Sequence, residues 1–179
     1  MMGKPYLPKG FLGLALGVLL SACSIPITVN LPDQTLELPG LSDTFGKVVY
    51  PQEALASTPP SVDVVKGLRV DGLLEASQPL TATLEFYART KDPSADPGCQ
   101  APPLGSAGVY LCAIGPDDEK VGEAVFNGSQ QASFTLQGTK LTEGIKQGKL
   151  WLGLKYQGLP STPLTLTFKD MKATITVGF

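Results

Sequence analysis

From residue 62 to the C-terminus this chain repeats with a period of two, and that period decides what it can fold into. Over residues 80–89, Leu80, Ala82, Leu84, Phe86 and Ala88 alternate with Thr81, Thr83, Glu85, Tyr87 and Arg89. A strand points successive side chains to opposite faces, so one set lines a core and the other faces solvent or a second sheet. Residues 149–156 alternate Leu150, Leu152, Leu154 and Tyr156 with Trp151, Gly153 and Lys155, and Met171, Ala173, Ile175, Val177 and Phe179 share one side of the last segment. Weaker strand patterns cover residues 62–75, interrupted near Gly67 or Gly72, and residues 108–114, 121–126, 131–136 and 164–169. Turn residues separate them: Gly115-Pro116-Asp117-Asp118, residues 157–163, and Asn127-Gly128. The last tolerates the positive φ of a two-residue hairpin, so a hairpin is expected there. Only residues 141–148 suit a helix, and two glycines keep it short.

About eight strands at regular spacing with no long helix predict an all-β fold, an antiparallel β-sandwich of jelly-roll or immunoglobulin-like topology, over residues 62–179. The order Cys99, Cys112, Trp151 does not match the cysteine, tryptophan, cysteine order of antibody-type domains. Glycine and proline supply 36 of the 179 residues, which means many turns, while 42% apolar residues are enough for a core. Six prolines crowd residues 24–61, where regular helix is forbidden. Yet Ile25, Ile27, Val29 and Leu31 alternate with polar residues there. The segment 23–61 therefore reads as a tether that partly docks on the body as an edge strand, with residues 51–61 as its clearest linker.

Ahead of the tether stands a different pattern. Lys4 and Lys9 precede the uncharged run of residues 11–20, and Leu20-Ser21-Ala22-Cys23 closes it. The run is too short to span a bilayer, which takes about 20 apolar residues, and has the length of a signal-peptide core. The segment resembles the signal peptide and lipobox of bacterial lipoproteins. The resemblance covers residues 1–24 and implies that residues 1–22 are removed and that Cys23 carries a diacylglycerol and an acylated amino terminus. Two or more acyl chains hold a protein stably at a membrane where one does not. Ser24 resembles members of that family sent to an outer membrane. The expected localisation is thus the bacterial cell envelope, with the lipid on Cys23 as the link to the membrane. Without residues 1–22 the chain has 12 basic and 16 acidic residues, and no basic patch that would suit nucleic acid.

Four groups of residues are candidates for chemistry. Cys99 and Cys112 are the pair left after lipidation, and in an oxidising compartment an even pair predicts a disulfide pinning the loop of residues 90–107. Asp92 with Asp96, and Asp117-Asp118-Glu119, gather oxygen ligands in loops but lack the spacing of a calcium loop, so no metal or other cofactor is expected. There is no histidine, which excludes imidazole-based catalysis, and no carboxylate pair stands out for glycoside hydrolysis. Trp151, beside the bare position Gly153, and Tyr87 lie on the non-leucine faces of their strands. They form either a stacking platform for a sugar or apolar ligand, or part of a sheet covered on its second face.

The C-terminal alternation ending in Phe179 looks like the closing strand of an outer-membrane β-barrel, although 7% aromatic residues are few for two girdles. The expectation that follows is a non-enzymatic, lipid-anchored structural or binding module whose partner is an envelope protein or a glycan. A carbohydrate-binding or carbohydrate-processing surface protein is the alternative, and a small outer-membrane barrel the second.

Overall fold

A computed structural model describes residues 24–38, 40, 42–56, 64–101 and 108–178. The fold is all-β and antiparallel. The strands are β1 (Ser24–Asn30), β2 (Gln34–Leu38), β3 (Val48–Pro51), β4 (Leu55–Ala56), β5 (Val65–Arg89), β6 (Cys99–Gln100), β7 (Val109–Cys112), β8 (Glu119–Gln137), β9 (Lys149–Gln157) and β10 (Leu164–Gly178). A helix, α1 (Thr139–Gln147), lies between β8 and β9 where the helical turn was expected, and Gly148 ends it.

Two long strands carry the architecture. β5 pairs with β8 along most of its length, with β10 over residues 65–76 and with β9 over residues 83–89. The β5–β8 ribbon therefore belongs to two halves of one sheet. One half runs β1 and β2, then β10, then the start of β5. The other runs from the end of β5 through β9 and β3 to β7 and β6.

The halves fold onto each other in a sandwich-like arrangement around an aromatic cluster. Phe86 from the far half of β5 packs 5.7 Å from Phe134 and 6.1 Å from Phe168, which belong to the near half, and those two rings stand 5.6 Å apart. The leucine sets around them, Leu74, Leu84, Leu150, Leu154, Leu164 and Leu166, are buried in the same core. The inward faces are those the alternation predicts for β9 and for residues 80–89.

Strand continuity differs from expectation. Of the segments expected at residues 62–75 and 80–89, residues 65–75 and 80–89 lie on one 25-residue strand, and 121–126 and 131–136 lie on one 19-residue strand. Asn127-Gly128 makes no hairpin. It sits opposite a register shift between Glu75, Leu80 and Thr81 of β5, and Gly128 has φ +72°. A glycine with positive φ serves a bulge as well as a tight turn, and a bulge bends the strand without ending it. The ribbon turns here from one half of the sheet to the other. Of the two strands expected at residues 164–169 and 171–179, residues 164–178 likewise form a single β10, shifted in register beside Asp170.

The expected tether is extensively paired. β1 and β2 lie end to end along one edge of β10, β3 hydrogen-bonds to β7 and β9, and β4 to β9. β1 is the edge strand that residues 25–31 predicted, with Pro26 in it.

A buried arginine under a disulfide-linked loop as the candidate functional site

The second face of the far half carries its own small core, built on the residues that alternation placed opposite the leucines. In the ladder Tyr87 stands across from Gly153, and Arg89 across from Trp151. Val48 and Tyr50 of β3 lie beside them, and Cys112 completes the buried group. Gly153 is not a bare position. A Cβ there would lie 2.5 Å from Val48 Cγ1 and 2.6 Å from Tyr50 Cδ1, so the missing side chain is the space into which β3 packs. Trp151 is 5% exposed and Tyr87 7%, and the indole N–H points at the Gln52 carbonyl at 3.4 Å. Neither ring is open for stacking. The stacking platform is corrected to the other arrangement expected for this face, a covered sheet, because β3 and the loop after β5 occupy the space in front of it.

Arg89 is the centre of this cover. It is fully buried, although alternation alone assigned it to an outward face. Its Nη2 is hydrogen-bonded to Asp96 and lies 3.9 Å from Asp117 Oδ2, while Nε lies 3.7 Å from Asp118 Oδ1. Its Nη1 donates to Cys99 Sγ at 3.1 Å and reaches Cys112 Sγ at 3.5 Å. The guanidinium also stands 5.3 Å from the centre of the Tyr50 ring, in cation–π range. A buried cation is tolerated only where charges and acceptors surround it, and these groups come from four separate segments of chain.

The two acidic groups considered as calcium ligands are used here instead. Asp96 takes Arg89 on one oxygen and the Gly98 amide on the other. The hydrogen bond from Arg89, followed by that from Gly98, holds its carboxyl below the usual aspartate range. Asp118 accepts the Gly115 amide at 2.8 Å and the Tyr50 hydroxyl at 2.8 Å. Burial and then that hydrogen bond push the Tyr50 phenol far above its ordinary range, so it stays a donor at any physiological pH. Asp92 caps the short 3-10 turn Pro93–Ala95 through the Ser94 amide, which lowers its carboxyl. Glu119 accepts the Thr139 and Lys140 amides at the start of α1. Asp117 pairs with Lys91 at 3.1 Å. No group of three or more metal-ligating side chains gathers among the described residues.

Cys99 and Cys112 are bonded to each other as expected, directly opposed in the β6–β7 pair. The bond ties the loop to the strand that packs against β3, and Arg89 ties the same loop to β5. In physical terms the arrangement is a staple. It fixes a Pro- and Gly-rich loop over the second face of the sheet with one covalent link and one buried cation. Sequence reasoning placed the disulfide, left the second face open between a platform and a covered sheet, and missed Arg89. The signal available was its position two residues beyond Tyr87 on the same face, at the end of a strand leading into a loop rich in aspartate. Cys23 and the rest of the lipobox lie outside the described residues. No family model, curated protein or solved structure matches this chain.

Proposed function

We propose that this is a lipid-anchored protein of the bacterial envelope, held through Cys23, whose β-body acts as a non-enzymatic structural or binding module. The observation that carries the reading is the run Leu20-Ser21-Ala22-Cys23 behind a basic and apolar leader, placed directly before the first strand of the body. Its chemistry follows from the thiolate, the side chain nucleophilic enough to take a thioether-linked lipid. The engagement of the loop carboxylates supports a structural role for them: Asp92, Asp96, Asp118 and Glu119 are each occupied by backbone or side-chain donors that hold loops and a helix start. The disulfide suits an exported protein.

The outward faces of the long strands bear on the barrel alternative. They carry Arg69 with Asp71, Lys169 with Glu75, and Lys120 between Glu85 and Glu123. Charges at mid-strand on the outside favour water over hydrocarbon at that surface.

The test is metabolic labelling with a fatty acid and an intact mass for the wild-type chain and for Cys23→Ser. The expected result is a labelled wild type lacking residues 1–22 and an unlabelled, uncut variant. Equal labelling of the two would refute the anchor.

A further inference from the structure

β1 is exposed along its whole length, and its aliphatic side chains are among the most exposed large apolar groups described: Ile25 at 50%, Ile27 at 48% and Val29 at 42%. They share one face, and the ladder sets Val177, Ile175 and Ala173 of β10 across from them. The apolar rim is thus continuous with the core, since Ala173 is buried and Ile175 packs against it. No residue of β1 is charged, and the β10 stretch opposite, residues 172–178, carries only Lys172. Lys172, and Lys66 alongside Gly178, belong to the other face of the ladder, so the apolar face carries no charge there.

The position of the strip in the chain says what lies against it. Ile25 follows Cys23 by two residues and Val29 by six, distances of at most about 7 Å and about 20 Å along an extended chain. Acyl chains on Cys23 draw that residue to the level of the headgroups, and amphipathic elements settle about 5–10 Å into this zone. We propose that Ile25, Ile27 and Val29 rest in the headgroup region of the bilayer, so that the body is oriented by contact as well as tethered by lipid. The proposal rests on the lipidation of Cys23. A second copy adding a strand to β1 is the competing occupant. Pro26 removes one backbone donor from the strand, which disfavours such an edge.

The test uses the lipidated full chain reconstituted into vesicles of phosphatidylethanolamine and phosphatidylglycerol, with and without brominated acyl chains that quench indole at close range. Ile27→Trp and Val29→Trp add a reporter on exposed positions, and Ile114→Trp adds one just after β7, at the other end of the strand order. The expected result is that the emission added at residues 27 and 29 shifts blue and loses most of its intensity to bromolipid, while that at residue 114 does not. Unquenched reporters at 27 and 29 in protein whose intact mass shows the lipid would overturn the contact and leave the anchor standing. A mass without the lipid would overturn both. Reporters shielded from bromolipid and from aqueous iodide alike, with a doubled sedimentation mass in detergent, would assign the strip to a second copy.

Discussion

The Tyr50 hydroxyl donates a 2.8 Å hydrogen bond to Asp118 Oδ1, joining a strand from the proline-rich N-terminal segment to an acidic turn 68 positions later. The same ring faces the Arg89 guanidinium. These two contacts make the N-terminal segment part of the body, because without β3 the arginine would lose its aromatic face and Asp118 its phenol.

Arg89→Met removes the cation and leaves Asp96, Asp117 and Asp118 facing one another with part of their compensation gone. Breaking a buried pair from one side costs about 3–5 kcal/mol. Urea unfolding should show a loss of that size with the slope unchanged, and a loss under about 1 kcal/mol would place the arginine among surface-like ion pairs.

Reduction of the Cys99–Cys112 bond should lower the melting temperature, since the 13-residue separation closes a loop whose constraint on the unfolded chain contributes about 3 kcal/mol. Free-thiol titration of protein taken from its native envelope should find neither sulfur reactive until reductant is added. Reactive thiols at both positions would show that the staple is not formed in the cell.

Trp151 should emit at short wavelength and resist acrylamide, as a buried indole does. Trp151→Ala should cost about 3–5 kcal/mol, the cost of emptying an aromatic site. Gly153→Val tests the same packing from the neighbouring position: its added atoms meet Val48 and Tyr50, and overpacking costs about 1–3 kcal/mol. A red-shifted, freely quenched wild-type emission would reopen the face as a binding platform.

Acid should weaken the loop cover in a defined direction. The folded state holds the Asp96 carboxyl below its ordinary value, so its contribution is complete above the unfolded value, near pH 4, and is lost as pH falls through the lower folded value. Melting temperature followed from neutral pH to about pH 2 should therefore drop more steeply for the wild type than for Asp96→Asn, which keeps an acceptor for Gly98 but carries no charge. Parallel curves for the two proteins would remove Asp96 from the account.

What the sequence determined by itself was what local chemistry controls. Alternation in residues 149–156 assigned β9 and which of its faces meets the main core, since a strand has only two faces. Residues 141–148, with their two glycines, marked a short helix, and the even cysteine pair marked its own bond. Only the tertiary structure decided what lies on the second face, because period two says which residues share a side and nothing about what covers it. Arg89, Tyr87 and Trp151 therefore read the same whether bathed in water or packed under a loop. It also decided that Asn127-Gly128 bends a strand instead of ending one, for positive φ is needed equally in a hairpin and in a bulge, and the choice falls to the register of β5 across the ladder. The aspartates changed meaning for the same reason: carboxylates in a loop are candidates for any cation, and it took the fold to bring Arg89 to them.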